Sequence, residues 1–386
     1  MDAEVIRHRR ELQALAGEWN ELLSDSAADS IFLTWEWVST WLDAVRPEAE
    51  LRIAVARGEN GRLEAVAPFY VDRLVFVGVV SYRCLRVIGD ADSAADYPDV
   101  IARKGDEAAG LAALGRALWD RGQGWDCAWF PNVAGWTGAI NRFRTLFPRE
   151  RFLQRERECD FALTPLADTH ERFLSQLGHK RRAYLRRQTR RLLEDGRADF
   201  VVCRTEPEIQ GMLDRLFELN RLRWQSAGQE GAFDRSPSLA RFCRHFAPTG
   251  HDRGWLRLYA LRVDGEIKAV QLGYAYANVF YAIQEGFDPG VDGVGNVLRN
   301  LAFEHCLSNG LKAYDFLGGY SEHKRLWRAQ RRVGSDLFLG PRRLRTALLF
   351  CRPVWPTGRY LRPAGRPSDS KGPAGEPGRY PDSVPA

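Results

Sequence analysis

The stretch VFYAIQEGFDPGVDGVGNVLRNLAFEHCLSNGLKAYDFLGG, Val279 to Gly319, sets the fold. It opens on an apolar, β-rich run, Val279–Gly286, in which Glu285 is the one acid. A loop follows with Gly290, Gly293 and Gly295. The spacing then predicts a helix, Asn296–Ser308, closed at Asn309-Gly310, where a left-handed cap costs little. Ala313–Leu317 reads as a buried strand. Glycines before a helix let backbone N–H groups turn toward an anion, and the helix dipole favours one there. An ordinary strand-to-helix loop is the plainer alternative.

Upstream, Trp255–Val263 and Glu266–Tyr276 flank Asp264-Gly265, a hairpin signal, and Ala277-Asn278 turns the chain into the quoted stretch. Asp199–Arg204 reads as a strand, Glu206–Ser226 and Pro237–Phe246 as helices, Ser321–Gln330 as a helix and Val333–Leu339 as a last strand. The first half partly repeats this order. A helix at Trp35–Val45 precedes strands Leu51–Arg57, Arg62–Val71, Tyr82–Ile88 and Asp99–Ala102. Helix Glu107–Arg121 and strand Trp125–Pro131 follow. RGQGWDCAWF and SNGLKAYDFL end corresponding helices and open corresponding strands, the mark of a duplication.

The 386 residues carry 20 Phe, 12 Tyr and 12 Trp, enough bulk for packed cores. No window reaches the ~18 apolar residues of a membrane span, and Met1–Arg10 has no apolar core of a secretory signal. The seven cysteines are scattered without a CxxC pair and read as reduced, buried hydrophobes of a cytosolic protein. From Arg352 to Ala386 the chain holds eight Pro and five Gly with few aliphatic residues, the composition of a disordered tail. No Ser-His-Asp order, HExxH, Walker loop or Rossmann fingerprint is present, and no metal site is expected.

Taken together, the chain resembles a duplicated GCN5-related N-acetyltransferase (GNAT) fold, and most closely the CelD-like acetyltransferases, relatives of the Fem-type peptidyltransferases. The resemblance runs from Phe32 to Leu339. It is carried by Phe32-Leu33-Thr34-Trp35-Glu36-Trp37, Ala95-Asp96-Tyr97-Pro98-Asp99-Val100, the basic run Lys180–Arg187, Arg223-Trp224 with Gly228 and Phe233, Gly295-Asn296-Val297-Leu298, and Asp315-Phe316-Leu317-Gly318-Gly319 with Lys324 and Trp327. Gly318 and His323 stand where that family has Arg and Tyr. Gly290 stands where the general phosphate loop has Gln or Arg.

The resemblance implies an α/β (α+β) chain with two tandem GNAT-like domains, each a mixed, largely antiparallel sheet flanked by helices. The expected boundaries are 1–160, 161–345 with the acyl-CoA site, and a tail at 352–386. It implies that the strands bearing Glu285 and Asp315 splay to admit the acyl arm. Glu285 is then a candidate base or an ion-pair partner; Asp315 a catalytic or a structural acid; Tyr320 and His323 candidate proton donors. Gly293, Gly295, Asn296, Val297 and Lys324 are the candidate contacts to acetyl-CoA or another acyl-CoA.

His179–Arg191 packs one Lys and six Arg with no acid. It is a solvated face, or a surface for a phosphorylated substrate, an anionic membrane or RNA. Arg182, Arg186 and Trp224 are the candidate acceptor contacts. The expected activity is acyl transfer to an amine or hydroxyl of a polysaccharide, lipid or cell-envelope precursor, with exopolysaccharide formation the leading association. The expected setting is cytoplasmic or at the inner membrane face, without DNA. Transfer from a charged tRNA, and a degenerate scaffold that binds an anionic polymer or a synthase partner, are the rivals.

Overall fold

The structure is a computed structural model. It describes the chain except residues 79, 91, 120, 121, 123, 194, 195, 352–354, 357–360 and 364–386. Two compact units result, Met1–Asp160 with the described residues from Val333 onward, and Phe161–Arg332. The fold is a mixed α/β arrangement of mixed sheets flanked by helices.

In the first unit the polar start of the chain is a strand. Asp2–Ile6 pairs antiparallel with Ile53–Arg57, which continues to Leu63–Ala67 and Ile101–Ala102. The single strand expected at Arg62–Val71 breaks at Pro68, which has no N–H to donate to a ladder. Leu63–Ala67 stays in that sheet, and Phe69–Phe76 joins a second one in a hairpin with Val80–Val87. Val80–Val87 runs parallel to Cys127–Ala134, with the helix Glu107–Trp119 between them in sequence. The helix Trp35–Ala44 starts where Thr34 accepts a hydrogen bond from the Trp37 amide at 3.3 Å.

The boundary expected at 345 moves. Gln330–Pro341 is one strand that pairs with Cys127–Ala134, so the chain returns to the first unit at Val333. The stretch expected to be helical, Ser321–Gln330, is a helix only over Glu322–Arg325. Part of the expected tail is ordered. Trp355 packs beside the buried cluster of Leu74, Tyr82, Trp129 and Phe338, and Leu361–Pro363 pairs with Leu74–Phe76. Ladder hydrogen bonds are made by the backbone, so a segment poor in aliphatic residues can still form them. The rest of that expectation lies outside the described residues. Six cysteines are buried and unbridged, and Cys351 is exposed. Among the described residues no helix is long and apolar enough to cross a membrane.

In the second unit the strands lie in the order Ala198–Val202, Leu256–Val263, Glu266–Tyr276, Val279–Phe287, Ala313–Gly318, ending on the Phe161–Pro165 stretch of strand Phe152–Pro165. Both hairpin turns put their corner residues at positive φ: Asp264 and Gly265, then Ala277 and Asn278. One pair is parallel, Val279–Phe287 with Ala313–Gly318, and the helix Val294–Ser308 supplies the crossover it requires. That helix is held by aromatic packing. The Phe303 ring stacks on Tyr314 at 4.2 Å, on Phe173 at 4.6 Å and on Trp327 at 5.2 Å. Each such ring contributes at most ~1.5–3 kcal/mol by burial.

Candidate active site

The parallel pair of the second unit is short. Val279, Phe280 and Tyr281 face Ala313, Tyr314 and Asp315, and there the ladder ends. Next to that point the pairing with Glu266–Tyr276 slips: Gly273 faces Ala282 and Leu272 faces Gln284, leaving Ile283 as the extra residue of a bulge. A bulge bends its strand and re-aims the side chains that follow. Gly273 permits it, because a Cβ there would lie 2.2 Å from the Phe280 ring. The two strands therefore part beyond Tyr281, and Glu285 lies on the parted segment.

On the other side, Leu317 and Gly319 take positive φ, 61° and 79°. Asp315 and Lys324 brace that irregular end. The Asp315 carboxylate accepts the Leu317 amide at 2.8 Å. The Lys324 ammonium, 8% exposed, donates to the carbonyls of Phe316, Gly318 and Gly319. An ammonium has three protons, and here each has a carbonyl. Lys324 is thus no free contact for a cofactor anion, and Asp315 takes the structural reading.

The glycine loop is also a packing device. Gly293 is the left-handed N-cap of Val294–Ser308 at φ 74°, and a Cβ there would meet the Gln188 side chain at 2.9 Å. Gln188 is buried on the basic helix His179–Leu193 and donates to Asp292 at 2.9 Å. Gly295 is required by the Phe287 ring, which a Cβ would approach to 2.7 Å. The Val297 side chain lies in the core, and its amide bonds the Gly293 carbonyl at 2.9 Å, so it has nothing left for a cofactor. The amides of Gly295 and Asn296 belong to the first turn, which no intrahelical carbonyl can satisfy.

Beside them lies a cluster of guanidiniums; Arg181 and Arg223 belong to stretches that carry the resemblance, but neither they nor Arg299 was expected as a site residue. Glu285 accepts from Arg223 at 2.8 Å and from Arg299. Arg299, 4% exposed, also meets His323 Nε2 at 2.5 Å. Arg181 reaches Asn296 Oδ1 at 2.6 Å and lies over the rings of Trp327 and Tyr184 at 4.7 and 5.4 Å. Arg223 lies over Phe287 at 4.6 Å and over the buried Trp224 at 5.2 Å. Burial alone would raise the Glu285 carboxyl, but Arg299 and Arg223 outweigh it and hold it at about 2. The Arg299 charge, helped by burial, pushes His323 down to about 3. Burial, and Arg299 beside it, pull Arg181 down to about 10.

These values change the roles expected of two residues. A carboxylate shared by two guanidiniums is a weak base, so Glu285 takes the ion-pair reading. His323 is a neutral imidazole whose Nε2 accepts from Arg299, so its one proton is on Nδ1, and a neutral imidazole N–H is far too weak an acid to protonate a thiolate. Tyr320 is half-buried against the aromatic core. Trp224 is buried with its indole N–H unpartnered among the described residues, and so serves as the floor under Arg223. Arg182 is half-buried and donates to the Ser175 carbonyl at 3.2 Å, while Arg186 is exposed. A signal for Arg299 was present: its helical spacing puts it on the buried face of the helix, among Asn296, Ala302 and Phe303. Among the described residues no three His, Cys, Asp or Glu side chains gather as a metal site would need.

Comparison with known proteins matches this region. Residues 179–325 fit the family model described as acetyltransferase (GNAT) domain. No curated protein matches the chain. Among solved structures it is similar to FemX, with 12% identity, a TM-score of 0.60, and 87% of this chain and 97% of that one covered. A conserved protein of unknown function from Bacteroides thetaiotaomicron gives 14% identity and a TM-score of 0.53 over 85% and 97% of the two chains. The C-terminal domain of a protein assigned as a lysylphosphatidylglycerol synthetase from Agrobacterium fabrum gives 14% and 0.50 over 88% and 95%. At such identities the likeness is one of fold.

Proposed function

We propose that this chain is an acyltransferase. It moves an acyl group from acetyl-CoA or another acyl-CoA to an amine or hydroxyl of a polysaccharide, lipid or cell-envelope precursor. The observation that carries this reading is the parting of Val279–Phe287 from Ala313–Gly318 at the Ile283 bulge, with the Gly295 and Asn296 amides following on the same strand-to-helix connection. The gap accepts the thioester arm, and the two amides accept a phosphate of the donor. In a ternary complex the acceptor attacks the thioester carbon, the C–S bond breaks, and backbone N–H groups of the parted strand bear the developing oxyanion.

Glu285 acts as a positioning residue, fixing Arg223 and Arg299. With Glu285 and His323 both weak bases in the free protein, the acceptor's proton leaves to water after attack, and Tyr320 is the candidate to protonate the departing thiolate and be reprotonated from solvent. The exposed Arg186 and the neighbouring basic helix face favour a second reading, aminoacyl transfer from a charged tRNA. The test is free-thiol release from acetyl-CoA in the presence of sugar, lipid and peptide amines, with mass spectrometry of the products. Acetylated product that forms without tRNA supports the first reading. Product that forms only from charged tRNA replaces it.

A further inference from the structure

The charges of the arginine cluster do not balance. Arg181, Arg223 and Arg299 bring three positive charges. Among the described residues the one carboxylate bonded to them is Glu285, and His323 is neutral beside Arg299. Arg181 has no carboxylate partner among the described residues; its neighbours are the Asn296 amide, two aromatic rings and another arginine. The Nε atoms of all three guanidiniums are buried without a hydrogen-bond partner among the described residues. Nearby charges do not compensate. Lys324 is spent on carbonyls, and Glu322 pairs outward with Arg325. Desolvated cations without counterions cost several kcal/mol each, which a bound anion offsets.

We propose that Arg181, Arg223 and Arg299 form a binding site for a phosphate dianion carried by the acyl acceptor. Two uncompensated charges call for a dianion rather than a carboxylate. Planar guanidiniums resting on Trp327, Tyr184, Phe287 and Trp224 are held in fixed orientation, which suits bidentate recognition of phosphate oxygens. The assignment to the acceptor rests on the acyltransferase reading; the presence of the site does not. A bound dianion has a second consequence. The groups that face His323 are Arg299, Glu285, Arg223 and Arg181, with Arg299 dominant. Offsetting that charge returns the imidazole toward its ordinary range, so the acceptor's own phosphate makes His323 available as a base.

The test uses the full chain and two probes, inorganic phosphate and glycerol 3-phosphate, titrated calorimetrically with and without saturating CoA. Saturable binding that CoA leaves unchanged supports the proposal. Competition by CoA assigns the arginines to the donor's phosphates and overturns the acceptor assignment; absence of saturable binding overturns the site itself. Arg181→Gln should weaken the probe at least tenfold and Arg181→Lys less. Should Arg181→Gln not fold, the wild-type protein still decides. Its His323 imidazole nitrogen, followed by NMR, should titrate at higher pH when phosphate is bound, and an unmoved titration contradicts the proposal. Phosphate binding without acetyl-CoA binding would leave the site standing and remove the acyltransferase reading.

Discussion

Both units build the same device, a hairpin strand that runs parallel to a later strand across a helix, and both bury an ion cluster on that hairpin strand with opposite charge balance. In the first unit Arg86, on Val80–Val87, sits over Trp129 at 4.4 Å and pairs with Asp90 at 2.8 Å and Asp72 at 3.4 Å. One cation meets two acids. In the second unit Glu285, on Val279–Phe287, meets two arginines with a third close by. The first hairpin keeps continuous register from Phe69↔Val87 to Phe76↔Val80, whereas the second bulges at Ile283. No glycine loop opens the first unit's crossover helix. A regular ladder with its cation fully paired is a structural solution. A bulged ladder with surplus cations is left open to a ligand.

Breaking the paired cluster should give the largest effect. Arg86→Ala strands Asp72 and Asp90, both nearly buried, and should cost ~3–5 kcal/mol in denaturant unfolding. Arg181→Gln removes a surplus, desolvated charge and should leave the unfolding midpoint no lower than wild type, and in phosphate-free buffer raise it. Equal losses from the two would erase the contrast. Lys324→Ala should cost ~2–3 kcal/mol, since it leaves three carbonyls unbonded at the strand end. A variant of wild-type stability would return Lys324 to the role of a free anion contact. Gly295→Val drives a branched side chain into Phe287 and should destabilise by ~1–3 kcal/mol, so reduced CoA affinity in that variant reports on packing as well as on phosphate contact.

The pH response sharpens the comparison further. His323 is held at about 3 in the fold against an ordinary 6.5, so between those values the unfolded chain binds the proton and stability rises with pH, by about 1.4 kcal/mol per pH unit at steepest. Glu285, at about 2 against 4.5, has the same sign at lower pH: its contribution is lost as pH falls through 2. Asp90 has the reverse sign. Burial, opposed by Arg86, raises it to about 6, so its contribution is present below about 4 and is lost as pH rises through 6. Urea midpoints from pH 7 to 4 should flatten in His323→Ala and steepen in Asp90→Asn. The smallest effect is expected of Arg186→Gln, an exposed change worth within ~0.5 kcal/mol.

The sequence carried the second unit's architecture well because its signals are local: Asp264-Gly265, Ala277-Asn278 and Asn309-Gly310 punctuate strands and a helix of the expected periods. It carried less where partners are distant. Asp2–Ile6 lies in the charged start Met1–Arg10 and becomes a strand only through Ile53–Arg57, and Leu361–Pro363 only through Leu74–Phe76. The strand break at Pro68 was legible but overlooked. At the site, Glu285 and His323 were identified by position, but their roles depended on Arg181, Arg223 and Arg299, which lie on three different helices. Glycines 293 and 295 were expected beside a phosphate, and their close approach to Gln188 and Phe287 is a second reason for glycine there that the sequence does not display. Residue type was readable, while the contacts that assign its chemistry arise from tertiary structure.

On the proposed function, the second unit takes an acyl-CoA between its parted strands. Titration calorimetry of acetyl-CoA into the full chain, repeated with excess tRNA, tests it most directly. Saturable, one-to-one binding that tRNA leaves unchanged is expected. Absence of binding, or its displacement by tRNA, would contradict it.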